Sequence, residues 1–296
     1  MTRVDKVPDT DMPQLFQAAD GASLEAQASY IGRTRLRLVL ISVAAACGIA
    51  SWRVGEGDVD LLGILGTALF IGALVIETSL WRDRPDKVWY DGRAVAESAK
   101  TLAWKFAVCG SPFPSTMDEA GAARGLADRL DKVKAQFPDL ELHPVAAPLV
   151  SPWMLEQRRA PIDDRRYTYL KARIEDQQTW YSRKAKYNKR RSKQWRLLLV
   201  ILEILGAAAS LAGALIDVDL FFAPAIAALV GAVVAWIETK QHDSLSRAYS
   251  AATADLASAE AKLNLATTDD SWAIEVDDAE EAISREHTVW LASRSR

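Results

Sequence analysis

The residues of this chain that come closest to a catalytic arrangement are two pairs of adjacent carboxylates, Asp163-Asp164 and Asp277-Asp278. Paired carboxylates divide acid and base roles only when they share one enclosed site. Both pairs lie in polar segments, and nothing in the sequence brings them into a shared site. Histidine and cysteine, at three and two residues, are too few to predict a metal centre.

The chain also lacks a glycine-rich phosphate loop and a nucleophile elbow, the motifs with which many enzymes bind phosphate or activate a serine. The sequence therefore predicts that the protein is not an enzyme and has no catalytic residues, no metal and no cofactor. A basic run at residues 183–196 directly precedes an apolar segment, which favours attraction to anionic lipid over nucleic-acid binding. We expect no nucleic acid among the partners.

Three glutamates lie inside or at the ends of apolar segments: Glu203, Glu77 and Glu238. A carboxylate in a bilayer is costly unless it faces a cavity, finds a partner or takes up a proton. Glu203 therefore either lines the vestibule of a pore or contacts a nearby cation, such as Arg37 or Arg196. Glu77 and Glu238 end their segments at equivalent places, and they either pair with local cations or line the same path.

Four apolar segments position these glutamates. Residues 38–52, 61–76 and 220–237 carry no charge, and residues 197–216 carry Glu203 alone. The segments form two pairs joined by short loops, and short loops favour antiparallel helices. Tryptophans at their ends resemble the aromatic belt of a membrane surface, and these interface anchors are Trp52, Trp81, Trp195 and Trp236.

The predicted fold class is therefore an all-α membrane protein with four transmembrane helices in two hairpins. The spans are expected at residues 36–54, 61–80, 197–216 and 220–237. Lysine and arginine dominate the outer flanks of the hairpins, whereas aspartate and glutamate dominate their inner loops. Because cytoplasmic flanks are enriched in cations, both termini and the central region are predicted to be cytoplasmic. The formal net charge of −3 averages over this sorting and conceals it.

The two hairpins have the sequence pattern of a duplication. Ile76-Glu77-Thr78 matches Ile237-Glu238-Thr239, and Asp58-Val59-Asp60-Leu61 matches Asp217-Val218-Asp219-Leu220. Each copy enters and leaves the membrane on the same side, so the repeat is parallel rather than inverted. Helix-forming residues dominate the flanks, which predicts long cytoplasmic helices that continue the spans into a helical bundle.

These features divide the chain into five parts. They are a flexible N-terminal segment (1–20), a first two-span unit (21–113), a proline-rich linker (114–161), a second two-span unit (162–267) and an acidic C-terminal tail (268–296). In the linker, Ser115 and Asp118 precede a leucine stripe and predict the start of one amphipathic helix. In the tail, Trp272 offers a contact with the bundle or with a partner.

One helical face of the second unit combines aromatic, amide and cationic side chains. Its members are Tyr169, Arg173, Gln177, Trp180, Tyr181 and Lys184. Two interpretations are open: the face packs against the returning helix around Tyr249 and Leu256, or it binds a ligand or a cytoplasmic partner.

This face belongs to a string that resembles the SLATT domains of bacterial conflict systems: Tyr169-Leu170-x-x-Arg173-Ile174-x-Asp176-Gln177-x-x-Trp180-Tyr181-x-x-Lys184-Ala185-x-x-Asn188. A second string, beginning Trp89-Tyr90-Asp91-Gly92-Arg93 and reaching Trp104 and Pro112-Phe113, is similar to another SLATT subfamily. Together the resemblances cover most of residues 25–113 and 150–267. They imply a membrane effector of bacterial antiphage defence, in systems signalled by nucleotides, and they carry over no catalytic residue.

The function predicted from these observations is an oligomeric effector of the bacterial inner membrane that forms a pore or disrupts the membrane. Its cytoplasmic helical bundle would gate it. A homo-oligomer is expected because four spans, two of them with glycine- and alanine-rich faces, enclose little space in one chain. The expected partners are the lipid bilayer, further copies of the chain, and an activating partner protein or nucleotide signal. The alternative is a non-conducting, membrane-anchored scaffold or sensor that acts through its cytoplasmic helices.

Overall fold

The structure of the protein, a computed structural model, describes residues 5–49, 52–54, 59–215 and 222–292, with side chains described as far as residue 284. Its described part is almost entirely helical, as the sequence predicts. The helices are α1 (Gln14–Cys47), α2 (Leu61–Asp83), α3 (Pro85–Ala107), α4 (Glu119–Ala135), α5 (Pro152–Arg159), α6 (Ile162–Tyr169), α7 (Asp176–Leu215), α8 (Phe222–Lys240), α9 (His242–Leu265) and α10 (Asp269–Ala292). A short antiparallel pair, β1 (Arg53–Val54) with β2 (Val59–Asp60), lies between α1 and α2.

Local sequence explains where several of these helices start and stop. Asp60, Asp118 and Ser151 each accept a hydrogen bond from a backbone N–H of the first turn of α2, α4 and α5, respectively. The α2 and α8 helices are each followed by one residue in the left-handed conformation, Arg84 and Gln241, after which a new helix begins. The predicted helix of the linker is present as α4, with Asp118 as its cap.

Among the described residues, three helical stretches are long and apolar enough to cross a membrane: Leu61–Ala107, Ile162–Leu215 and Phe222–Leu265. Few residues of their most apolar windows are buried, namely 11%, 0% and 6%, respectively. Contiguous apolar surface of this extent is incompatible with water and matches the hydrocarbon of a bilayer. The fourth predicted span, residues 36–54, includes positions 50 and 51, which lie outside the described residues, as does the loop that contains Asp217 and Asp219.

The chain divides into two compact units. We call one the core unit, which comprises Met1–Ala26, Asp86–Lys186 and Leu245–Arg296. We call the other the span unit, which comprises Gln27–Pro85 and Tyr187–Ser244. The long helices α1 and α7 contribute residues to both.

The core unit is built around aromatic side chains. Trp104, Tyr169 and Trp272 are fully buried, and the Tyr169 ring contacts both tryptophans edge to face at centroid distances of 5.8 Å. Edge-to-face geometry is favourable for aromatic pairs beyond the area they bury. Gly92 allows α3 to approach α1, because a Cβ atom there would lie 3.0 Å from the carbonyl oxygen of Ala19.

The C-terminal helix α10 is part of this core. Trp272 and Val276 are fully buried, and the indole N–H of Trp272 donates to the Val108 carbonyl oxygen at 2.8 Å. Gly110 leaves room for α10, since a Cβ atom at Gly110 would collide with the side chain of Val276. The segment that the sequence assigns to an acidic tail therefore packs on the helical core in the structure.

Within the span unit, α1 and α2 form an antiparallel pair. Arg33 contacts Asp83 at 2.7 Å, Arg37 contacts Glu77, and further along, a Cβ atom at Gly66 would lie 3.4 Å from the carbonyl oxygen of Ala44. The contacts advance along α1 while they recede along α2, as antiparallel helices require. Small residues at these contacts permit close backbone approach, which is how helices associate in lipid.

The α7 and α8 helices are also antiparallel. The rings of Trp195 and Trp236 lie 6.2 Å apart, and a Cβ atom at Gly206 would lie 3.2 Å from the Ile226 side chain. Beyond the tryptophans, Arg196 of α7 contacts Asp243 at 3.4 Å.

Candidate functional site

The three glutamates of the apolar segments lie in different environments. Glu77 contacts Arg37 of the neighbouring helix α1. Glu203 and Glu238 are exposed and pair with no other residue that the structure describes. The two cations that the sequence offers Glu203, Arg37 and Arg196, contact Glu77 and Asp243 instead.

Glu203 therefore presents an uncompensated carboxylate on the surface of an apolar helix. Its segment of α7 contains no buried residue, and Leu197, Ile204 and Leu211 beside it are 62%, 63% and 60% exposed. In hydrocarbon, such a carboxylate requires water, a proton or a group from another chain.

The predicted membrane-interface tryptophans are all at least partly exposed. Trp52 and Trp81 expose 62% and 82% of their surface. Trp195 and Trp236 are half-buried, since their rings contact each other. Exposed indole rings at helix ends suit the boundary between headgroups and hydrocarbon.

The predicted cytoplasmic face divides between core packing and a cavity. Tyr169, Arg173 and Tyr181 are buried, and Tyr181 stacks on Tyr249 at a centroid distance of 5.7 Å. Trp180 also contacts the Tyr249 ring, at 5.3 Å. These contacts are those expected if the face packs against the returning helix α9.

The buried member Arg173 belongs to a charged network that the sequence does not reveal. Its guanidinium donates to both carboxylate oxygens of Glu280 on α10, at 2.9 and 2.7 Å. Glu280 also accepts from the hydroxyls of Tyr169 at 3.1 Å and Thr101 at 2.8 Å. Arg173 and Glu280 are 3% and 0% exposed, so α3, α10 and the helix that carries Arg173 meet at one satisfied ion pair.

Burial and the neighbouring charges shift the ionisation of this network. Desolvation alone would favour neutral Arg173, but the adjacent Glu280 carboxylate outweighs it and raises the pKa of Arg173. Burial and the negative charge of Glu280 together raise the pKa of Tyr169 well above its ordinary value. Arg173 is thus held as a cation and Tyr169 as a neutral hydrogen-bond donor.

Arg173 also lies in an unusual backbone segment. Residues Leu170–Glu175 form a π-helix between α6 and α7. A π segment widens one helical turn, and such turns are often found at functional sites. Here the wide turn carries the arginine that anchors α10.

Next to this network is a cavity of about 520 Å³ within the core unit. Arg173, Gln177 and Trp180 from the predicted face line it, together with the buried Phe16 and Trp104. The volume is in the range of small-molecule sites in proteins, about 300–1,000 Å³. Its charged lining residues are Lys6, Asp9, Asp20, Arg93, Glu97, Lys100, Arg173 and Asp176.

Most of the cations in this lining are neutralised by carboxylates. Lys100 contacts Asp9 at 2.9 Å, and Arg93 contacts Glu97 at 2.9 Å. Asp20 is half-buried and forms no ion pair with the residues that the structure describes. Burial, together with the nearby Asp9, raises its pKa above the ordinary value.

Asp20 and Glu280 are functional candidates that the sequence does not predict. Asp20 falls in the N-terminal segment and Glu280 in the acidic tail, 107 residues from Arg173. A signal for α10 was nevertheless present: Trp272, Val276, Ala279 and Ile283 recur at helical spacing and are all buried. The partner of Glu280 has no comparable signal, because the contact depends on tertiary structure.

The described part of the chain thus defines an all-helical membrane protein that joins exposed apolar helices to a packed helical core. Two family models match it: SMODS and SLOG-associating 2TM effector domain 3 at residues 13–166, and effector domain 1 of the same series at residues 169–290. The chain belongs to the SLATT family, as a tandem of two different SLATT domains. Searches among curated proteins and among solved structures found no match.

The two matched domains confirm the resemblance of both sequence strings to SLATT domains. Because both matched domains are described as effector domains with two transmembrane helices, the family indicates a membrane effector. Each matched segment contributes residues to both the core unit and the span unit.

Proposed function

We propose that the protein is an oligomeric effector of the bacterial inner membrane that forms a pore or disrupts the membrane during antiphage defence. In this proposal each chain has four spans in two duplicated hairpins, with both termini cytoplasmic, and it catalyses no reaction. The observation that carries the proposal is the apolar segment of α7, which contains no buried residue, with Glu203 inside it and unpaired among the described residues. A second copy of the chain would cover that face and provide a polar path for the carboxylate.

The core unit would gate this assembly. Its support is the cavity beside the Arg173–Glu280 ion pair, since a ligand bound there would contact helices that continue toward the spans. The aromatic and charged lining suits a small polar molecule such as a nucleotide signal, and a partner protein is the other activating signal that the proposal admits.

Induced expression of the protein in bacteria, together with a dye that reports membrane potential, tests the proposal. Activation should collapse the potential and arrest growth, and purified protein should conduct current in a planar lipid bilayer. Intact potential and the absence of conductance, with the protein present in the membrane, would contradict pore formation and favour the non-conducting scaffold.

A further inference from the structure

A groove in the span unit lies between α1, α7 and α8. Its volume is about 550 Å³, within the range of ligand sites. One stretch is apolar, formed by side chains such as Leu38 and Val43 of α1 and Leu229 and Val233 of α8. At about 1.5 Å per residue, the lining from Arg35 to Val43 extends about 12 Å along α1.

The other end of the groove is cationic. Arg35, Arg191 and Lys240 line it, one from each of the three helices, and no aspartate or glutamate is among the lining residues. The charge complementarity therefore favours an anion at this end.

Aromatic side chains hold two of these cations at the rim. The Arg191 guanidinium lies 5.6 Å from the centroid of the Tyr187 ring, and its Nε–H donates to the Tyr187 hydroxyl at 3.3 Å. The Lys240 ammonium lies 5.6 Å from the centroid of the Trp236 ring. These cation–π contacts position the two cations at the rim, where an anionic group would meet them.

His242 lies beside these cations and is affected by both burial and their charge. His242 lines the groove, and its Nδ1 lies 2.7 Å from Oδ1 of Asn188. Burial, followed by the charges of Lys240 and Arg191, lowers the pKa of His242 to about 4. The imidazole is therefore neutral at physiological pH. The positive charge at this end of the groove comes from its arginine and lysine side chains and not from His242.

We propose that this groove binds one anionic phospholipid, with an acyl chain between α1 and α8 and the phosphate group between Arg35, Arg191 and Lys240. The apolar stretch continues the surface of helices that lie in hydrocarbon, and basic pockets between spans on the cytoplasmic side bind anionic headgroups. The inference requires membrane insertion but does not depend on pore formation.

Retention of lipid through purification tests the site. The protein would be extracted from membranes in a neutral detergent, and native mass spectrometry would count the phospholipid bound per chain. We expect one retained phosphatidylglycerol, and no retained phosphatidylcholine when the protein is reconstituted with both lipids and extracted again. An equal preference for the two lipids would overturn the proposal.

Substitutions separate the groove from general attraction to a negative surface. Arg35→Gln, Arg191→Gln and Lys240→Gln should each weaken retention about fivefold, since one cation near a lipid surface contributes about 1 kcal/mol. Arg190→Gln and Lys193→Gln are matched controls, because both residues are exposed on α7 and absent from the lining. Equal losses from controls and groove variants would contradict a discrete site.

Two further measurements distinguish a lipid site from misfolding of the variants and from a site for phosphate alone. Thermal unfolding of each variant in lipid-free detergent checks that it is folded, and Arg191→Lys should keep the lipid if charge rather than packing matters. Inorganic phosphate supplies the anion without the acyl chain, so stabilisation by phosphate equal to that by phosphatidylglycerol would overturn a lipid site. A groove variant that loses the lipid but still conducts would show that the lipid site and the proposed pore are independent. A variant that keeps the lipid but no longer conducts would show the same.

Discussion

At the scale of single residues, the ionised carboxylate of Asp20 is expected to lower the stability of the folded protein. Its carboxylate is half-buried, it forms no ion pair within the described part of the chain, and the negative Asp9 lies nearby. A side chain that costs stability in a cavity lined by aromatic and charged groups is typical of a binding site rather than of a core. No local pattern in the sequence distinguishes Asp20 from the other aspartates.

Asp20→Asn should therefore stabilise the protein at neutral pH. The carboxyl has a higher pKa in the folded than in the unfolded state, so its ionisation above the ordinary value of 3.8 opposes folding. The gain in melting temperature over the wild type should be present at pH 7 and should shrink as the pH falls toward 3.8. Thermal unfolding followed by circular dichroism at several pH values measures it. A lower melting temperature at pH 7 would instead mean that the carboxylate makes a stabilising contact.

For His242 we expect stability to fall as the pH is lowered, which is the opposite of the pH dependence expected for Asp20. Its folded pKa is about 4 against an ordinary value of 6.5. Between these values the unfolded chain binds a proton that the folded chain does not, so stability declines as the pH falls through this window. Burial is the largest cause, followed by the cations Lys240 and Arg191.

The variant His242→Gln should lack this decline, while it keeps a polar group beside Asn188. The melting temperature of the wild type should fall relative to that of the variant between pH 6.5 and pH 4. His143→Gln is the control, since it removes an exposed histidine far from His242 in the sequence. Parallel profiles for wild type and His242→Gln would show that His242 is protonated normally in the folded protein.

At the scale of elements, α10 is held on the core unit by buried apolar side chains and by one buried ion pair. Glu280 joins α10 to Arg173, Tyr169 and Thr101, and its side chain is fully buried. Removing one partner of a buried ion pair leaves an uncompensated charge, which costs about 3–5 kcal/mol. The pair therefore holds α10 against the helix that carries Arg173.

Glu280→Gln should accordingly destabilise the protein by about 3–5 kcal/mol, whereas Glu281→Gln should change stability by less than about 0.5 kcal/mol. Glu281 is the neighbouring residue and is exposed, so the two variants differ only in burial and partner. Denaturant unfolding of the two variants measures the difference. The double variant Arg173→Met with Glu280→Leu should recover much of the loss, because it leaves no buried charge. Equal stabilities of Glu280→Gln and Glu281→Gln would contradict the role of the pair.

The elements themselves could be predicted from the sequence to different extents. The α4 helix could be predicted because Asp118 precedes Leu126 and Leu130 at helical spacing, and a cap followed by such a stripe is a local signal. The burial of α10 could be predicted only in part, because its apolar stripe from Trp272 to Ile283 is narrow and its acidic composition is that of an exposed segment. The break at Arg84 has a local signal in Pro85, which directly follows it, whereas the break at Gln241 has none, since Gln241 is neither a glycine nor an asparagine.

At the scale of the whole molecule, the hydropathy pattern predicted the apolar helices, because uninterrupted apolar segments of this length rarely occur outside membrane spans and buried cores. The contacts that decide function could not be predicted in this way. The residues of the face from Tyr169 to Lys184 lie on α6, the π-helix and α7, and the division of the face between the core and a cavity depends on α9, α10 and α1. Helical periodicity fixes which side chains share a face and does not fix what lies opposite them.

The prediction that tests the assembled molecule concerns Glu203. In a bilayer, a single chain would expose this carboxylate to hydrocarbon, whereas an oligomeric pore would place it at a polar path. In planar bilayers, Glu203→Gln should therefore lower the preference for cations over anions and shift the reversal potential in a salt gradient. Glu25→Gln is the control, because Glu25 is exposed on α1 outside the apolar segments. An unchanged reversal potential for Glu203→Gln, together with an unchanged oligomeric mass in detergent, would remove Glu203 from the conducting path. A shift without any change in mass would instead mean that its charge faces the ions, because the assembly would be the same and only the field along the path would differ.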